Sequence, residues 1–514
     1  DEVVLDAGQI NTLLDCDLVV VAPDTGVENL NMVDRTAIAE DLAALANAEV
    51  PDGLVPTGFA THQIIEYFTN YDAAWAAEED PHGSLLEKGD YVNGVLQEEG
   101  AELPEEPERI EKEYDNHVPG QIASLGDNVA INAALVVDVN LTIGTLFVGG
   151  DYFRTDAIVQ TNVYSDEDAV AYGGGRNGAV DTHGNEAYNV ASFYQTGTSF
   201  DDIELEEGED FFAGLNWYVE VMEGDFFNVH SIQQENWMVD NDVVVQDSQQ
   251  SHYQLVAGSN EQGNFIDFVA LSATYDLVVV LGDYHEVNLI FQTNLLWDDD
   301  VVKAVGAGGG EDGGAVATGG NWLINDALIQ HIGNPETGEL TEDWESLIQM
   351  LSGQAGEIDP SYGWGLPNFG DETFNVLFIT GNMYDITLVS QLNFMLDADT
   401  AIQYLPGDFK AGEDGFIQDL STGGNSLTNY AAIVKPGVIA GTYVGGDTYE
   451  DEMLLQAEIV ISDDDEIVYG DPDELASELV AFTGPDVQDD QKDDVDANYY
   501  AEANDGDVLG NLLT

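Results

Sequence analysis

The chain has 514 residues, with 100 Asp and Glu against 10 Lys and Arg, a formal net charge of −90. Almost nothing in it neutralises phosphate, which excludes nucleic acid and an anionic membrane surface as partners, and 44% hydrophobic with 10% aromatic residues excludes simple disorder. No apolar run reaches the roughly 18 residues of a membrane span, and a lone cysteine, Cys16, excludes a disulfide framework or a cysteine-built zinc site.

On the roughly 18,000 Å² surface of a compact chain this size, net charges sit about 14 Å apart, under two Debye lengths at physiological salt. Their repulsion opposes folding unless cations screen or bind them.

Residues 1–119 read as a helical N-terminal domain or cap. Asp34 is placed to cap a helix through Ala37, Ile38, Leu42, Leu45 and Ala46, whose spacing is helical. A second helix is expected over 61–77, with Ile64, Ile65, Tyr67 and Phe68. A third is expected over 85–96 and a short charged one over 106–114, with Pro51, Pro56, Pro81, Pro104 and Pro107 between them.

From residue 120 to 470 the chain repeats. A long unit recurs as Gly150-Asp151-Tyr152 with Gln160, Asn162, Asp166 and Asp168; then from Gly224 with Gln234, Asn236, Asp240 and Asp242. It returns from Gly282 with Gln292, Asn294, Asp298 and Asp300, and from Gly381 with Gln391, Asn393, Asp397 and Asp399. A degenerate fifth copy runs from Gly446 through Gln456 to Asp463. The Gly-to-Gln distance is constant, and chance does not preserve it five times. A short unit, Asn-x-x-x-Asn-x-Ala, precedes each: Asn128/Asn132, Asn185/Asn189, Asn321/Asn325, Asn425/Asn429, and a weaker copy at Asn264/Phe268. The irregular spacing comes from insertions such as 307–320 and 334–371.

Alternation within the long unit is that of a strand, apolar on both faces near its end. Gln and Asn at matched positions suit hydrogen-bonded amide ladders between stacked copies. The fold expected is therefore mainly β, a β-solenoid-like stack of five irregular repeats with a small helical N-terminal region and an acidic C-terminal segment, 471–514. Each repeat exceeds one coil of about 20–29 residues.

The recurring Asp-x-Asp is the candidate metal site: Asp166, Asp168, Asp240, Asp242, Asp298, Asp300, Asp397 and Asp399. Paired carboxylates on one side of an extended segment offer hard oxygens to Ca²⁺. The eight histidines share no repeat offset and read as surface or loop residues. No GxSxG, P-loop or strand-borne GxGxxG occurs, so no catalytic residue and no organic cofactor is assigned and the chain does not read as an enzyme.

This acidic, Lys-poor, nearly Cys-free composition with Gly/Asn/Asp-rich β-repeats resembles bacterial type I-secreted surface proteins over residues 120–470, without the GGxGxDxUx nonapeptide. The resemblance implies an extracellular or cell-surface location. The expected function is an extracellular structural protein that self-assembles as a filament, surface-layer or matrix subunit and is stabilised by cations, as a halophilic surface also would be. The face bearing Trp237, Trp297, Phe291 and Phe394 needs a cover, from the Gly-rich insertions, the N-terminal helices or another copy. An open end of a stacked β-array also leaves N–H and C=O groups to be capped or paired, so self-association is expected. The alternative is a polysaccharide-degrading or polysaccharide-binding β-helix protein. A phage-derived spike is a third reading. Lyase chemistry is disfavoured because only Arg154, Arg176, Lys303, Lys410 and Lys435 lie in the repeats.

Overall fold

Gln160, Gln234, Gln292, Gln391 and Gln456 occupy equivalent places on parallel strands of one sheet. They do so in a computed structural model that describes residues 2–21, 35–48, 50, 61–77, 86–104, 120–139, 142–173, 179–196, 216–247, 252–271, 275–305, 315–333, 337–340, 348, 356–358, 373–404, 417–436, 441–462 and 466–469. The strands in this long-unit sheet are Glu2–Asp15, Phe226–Asp240, Met383–Leu396, Tyr284–Trp297, Tyr152–Ser165 and Thr448–Ser462, in that spatial order. A short-unit sheet runs Glu261–Leu271, Val129–Val139, Ser426–Pro436, Trp322–Ile332 and Glu186–Thr196. Three further sheets collect the shorter strands that enter and leave these.

The chain is mainly β, as its alternation requires, but it is not the solenoid-like stack of repeats expected from the sequence. In a solenoid, consecutive copies are adjacent coils. Numbering the N-terminal strand zero and the five long units one to five, the spatial order here is zero, two, four, three, one, five. Only the third and fourth copies are neighbours in both sequence and space. The result is a set of separate parallel sheets in which most adjacent strands come from distant segments.

The small helical N-terminal region also needs correcting. Helices α1 (Arg35–Ala48) and α2 (Thr61–Ala76) form where expected, but Glu2–Asp15 is a strand of the long-unit sheet. It pairs Gln9 with Gln234, Asn11 with Asn236 and Asp15 with Asp240. Gln9-x-Asn11 followed by Asp15-x-Asp17 is thus a sixth copy of the long unit. The helix expected over 85–96 is an antiparallel hairpin, Gly89–Val92 with Val95–Leu96. Its turn residues Asn93 (φ 45°) and Gly94 (φ 77°) are left-handed, and Asn-Gly is the pair that two-residue hairpin turns favour. The register also moves the weak short unit by four residues, since Asn264 pairs with Asn132. The insertion over 307–320 contains a strand, Ala315–Gly319. The expected element over 106–114 and the acidic segment 471–514 lie outside the described residues.

Both faces of the long-unit sheet are covered, as parallel sheets require. Inward, Ile158, Ile232, Ile290 and Val389 meet Val136, Phe193, Ile329 and Ile433 of the short-unit sheet. Outward, α2 lays Ile64 and Phe68 on Val229, Val287, Leu289 and Leu388. Helix α1 lays Ile38, Leu42 and Ala46, one apolar stripe, on Val163, Leu295 and Phe394, beside Trp237 and Trp297. Of the covers the sequence leaves open for this apolar face, the chain's own helices are the one found. On the same face Tyr449, Phe153, His285, Tyr384 and Phe227 stack in a column, with successive ring centroids 4.8, 5.0, 4.7 and 4.9 Å apart.

The opening glycines Gly150, Gly282, Gly381 and Gly446 have a steric cause, while Gly224, where a Cβ would meet nothing within 4 Å, has a left-handed φ of 86°. A Cβ on Gly282 would lie 2.1 Å from Oδ1 of Asn382 and 2.8 Å from the carbonyl oxygen of Gly381, in the next layer. A side chain there forces layers apart. Gly282→Ala is expected to lose about 1–3 kcal/mol of stability, as overpacking does. Gly184→Ala, whose Cβ meets nothing within 4 Å, is expected to change it by less than about 0.5 kcal/mol. Denaturant unfolding of the two variants checks this, and equal midpoints would contradict it.

Candidate functional site: amide zipper and aspartate columns

Two ladders of amides fill the space between the long-unit and short-unit sheets. In the first, Gln456 donates through Nε2 to Oε1 of Gln160, then Gln160 to Gln292, Gln292 to Gln391, Gln391 to Gln234 and Gln234 to Gln9, at 2.7–3.2 Å. Each Nε2 also donates to a backbone carbonyl of the facing sheet, for example Gln292 to Asp326 and Gln391 to Tyr430. One proton of each amide thus joins layers and the other joins sheets.

The second ladder zigzags between the sheets through Asn11, Asn264, Asn236, Asn132, Asn393, Asn429, Asn294, Asn325, Asn162 and Asn189. From Asn11 to Asn325, each Nδ2 donates to the Oδ1 of the next two asparagines in that order. Asn162 donates to Asn189, and Asn189 ends the chain on the carbonyl of Ala457. Buried amides are tolerated because nearly every donor and acceptor is used.

At the end of the long-unit strands the eight predicted aspartates come together as two columns, all of them buried. In the second column the carboxylates cap backbone. Oδ1 of Asp168 accepts from the N–H of Asp300 at 3.0 Å, Asp300 from Asp399 at 2.7 Å, Asp399 from Asp242 at 2.7 Å, and Asp242 from Asp17 at 2.7 Å. In the first column the carboxylates accept from the asparagines that open the short units. Asn321 donates to Asp298 at 2.7 Å and to Asp166 at 3.2 Å, Asn425 to Asp298 at 3.1 Å, Asn128 to Asp397 at 3.1 Å and Asn260 to Asp240 at 2.9 Å.

One oxygen is left over on each of Asp166, Asp240, Asp298, Asp300, Asp397 and Asp399, buried and without a hydrogen-bond partner. Burial, then repulsion from the neighbouring carboxylates, pushes Asp298, Asp300, Asp397 and Asp399 well above the usual range. Burial first, then its neighbour Asp168, pushes Asp166 up to about 9. Asp240 is raised by burial to about 6 and Asp242 by burial to about 7. The columns therefore require protons or cations to neutralise them. Among the described residues no three His, Cys, Asp or Glu side chains converge as a metal cage. A cation here would complete its shell with backbone or solvent oxygens, which Ca²⁺ accepts.

The residues that sequence reading missed are basic side chains drawn into the interior. His230 and His285 are buried strand residues, not loop residues. Lys435 reaches Asp385 at 3.1 Å, Arg154 reaches Glu450 at 3.3 Å and His331 reaches Asp156 at 2.9 Å. Burial works against Asp156, but His331, Arg154 and Asn288 outweigh it and hold its carboxyl well below the usual range. The signal available was the even offset of Arg154 and His230 within the long unit, which places them on the inward face.

Compared with known proteins, the chain matches no family model, no curated protein and no solved structure.

The raised aspartates fix a pH dependence. Unfolded, they titrate near 3.9; folded, Asp240, Asp242 and Asp166 titrate near 6, 7 and 9. The folded state binds these protons more tightly, so their stabilisation is complete below about pH 3.9 and is lost as pH rises through the folded values. Asp156, shifted the other way, acts only below the window. Calorimetry in chelator at constant ionic strength is expected to show a melting temperature that falls from pH 4 to pH 9, with a shallower fall in Asp298→Asn. A flat profile would contradict the buried columns.

Proposed function

We propose that the chain is an extracellular structural subunit that associates with copies of itself and whose aspartate columns are neutralised by cations, Ca²⁺ first among them. The observation that carries this reading is the open end of the ladder system. Among the described residues no strand pairs with the outer edge of Glu2–Asp15, and Val4, Leu5, Ile10 and Leu14 on it are exposed. Leu18, Phe265 and Val256 on the adjoining terminal strands are exposed as well.

The opposite end differs. There Gly94 donates its N–H to Gln456, Leu86 donates its N–H to Glu452, and Lys88 pairs with Glu452. An apolar edge strand is a template for pairing with another chain. Two subunits of −90 each repel, so the contact depends on cations in the gap as well as in the columns. Open end to open end gives a closed pair; open end to any other surface propagates. The extracellular placement rests on the compositional resemblance described above.

Sedimentation in chelator and in millimolar Ca²⁺ at matched ionic strength tests the reading, alongside thermal melting. Species larger than 55.5 kDa are expected with Ca²⁺, and an Ile10→Lys, Leu14→Lys variant is expected to remain a monomer. Melting is expected to rise with Ca²⁺ at pH 8 by more than with an equal ionic strength of NaCl. A monomer in both conditions would reject assembly and favour the polysaccharide-binding alternative. An unchanged melting temperature would remove Ca²⁺ from the columns.

A further inference from the structure

Between α1 and the outer face of the long-unit sheet, on the side away from the short-unit sheet, lies a crevice. Its floor is Phe291, Leu392, Leu295 and Trp237, and its roof is the small side of α1, Ala43 and Ala46, with Asn47 and Val50 at one side. Its cavity volume is about 40 Å³, and it is open to solvent on one side. Ala43 and Ala46 are what leave it open, because the rest of the α1 stripe, Ile38 and Leu42, packs down on the sheet.

Gln233 and Glu235 stand in this apolar setting, 8% and 2% exposed. One oxygen of Glu235 accepts from Nε2 of Gln233, and the other accepts from Nε1 of Trp237 at 3.1 Å. Oε1 of Gln233 has no hydrogen-bond partner. Among the described residues the lining holds no Lys, Arg or His. It therefore offers an amide oxygen with spare capacity, a carboxyl whose two donors are both neutral, the hydroxyls of Thr293 and Ser390, and two aromatic rings. What complements that set is a donor that carries positive charge and an apolar skin.

We propose that this crevice binds a small organic cation, an alkylammonium, with its N–H on Oε1 of Gln233, its charge opposite Glu235 and its methyl groups against Trp237 and Phe291. Aromatic faces attract such cations. A buried carboxylate without a cationic partner is costly, and burial raises the Glu235 carboxyl accordingly. The negative field of the whole chain concentrates cations at the mouth. Selectivity over metal ions comes from the apolar floor, which cannot replace the water of a strongly hydrated ion.

Saturation-transfer NMR on the full chain tests this, with trimethylammonium as the probe and tert-butanol as its uncharged counterpart, in chelator at fixed ionic strength. Saturable transfer to trimethylammonium is expected, with tert-butanol at least about tenfold weaker. Glu235→Gln is expected to weaken the cation at least tenfold, about 1.4 kcal/mol. Ala43→Met fills the crevice without touching its polar groups and is expected to abolish binding while the melting temperature holds. Equal transfer in Glu235→Gln, in Ala43→Met or with tert-butanol would overturn the proposal, because the cation would then be spread over the acidic surface.

Discussion

The buried side-chain amide is the interaction on which the rest of this structure depends. An amide carries two donor protons and one accepting oxygen with two lone pairs, which lets it bond up the stack and across it at once. Gln292 does both, to Gln391 and to the backbone of Asp326. Repeated in every layer, this fixes the register of the long-unit sheet, because a shift by one residue would turn every amide to the outer face and place apolar side chains against unpaired carbonyls. It also fixes the distance between the two sheets, since the asparagine zigzag closes only when both are within a single side chain's reach.

The same layering concentrates charge in places where it is costly. Aspartates that turn the chain out of each layer are brought into columns by the amides' register, whatever their mutual repulsion. They are partly satisfied by N–H groups of the next layer and by Asn128, Asn260, Asn321 and Asn425. The chain's rare basic side chains are drawn the other way: Arg154 and Lys435 are buried against Asp156, Glu450 and Asp385 rather than spread over the acidic surface. Buried acids far outnumber buried Lys and Arg, so negative charge is held in the interior as well as on the surface. That asymmetry links folding to pH and to cations, and it makes any contact between subunits conditional on them.

The helices contribute by position more than by length. Their apolar stripes lie on the outer face of the long-unit sheet, and the crevice under Ala43 and Ala46 exists because two small residues stand where the stripe would otherwise fill. The two ends of the stack are not alike, because the Asn93–Gly94 hairpin and its approach cover one end and no comparable segment among the described residues covers the other.

The sequence by itself determined which residues are equivalent. The Gly-to-Gln spacing fixes a strand and its inward face, and the Asp-x-Asp fixes where the strand turns. It also held the sixth copy, from Gln9 to Asp17, unread because the place of its opening glycine falls ahead of Asp1, and the Asn-Gly hairpin, masked by helix-like apolar spacing. Only the tertiary structure decided which copy lies beside which. Copies one to four present the same glutamine, asparagine and glycine to their neighbours, so their ladders carry no information about sequence neighbours. Copy five, with Glu458 in place of the asparagine, lies at an end of the sheet. The order zero, two, four, three, one, five appears only in the folded chain, as do contacts particular to single copies, such as Lys435 with Asp385 and His331 with Asp156.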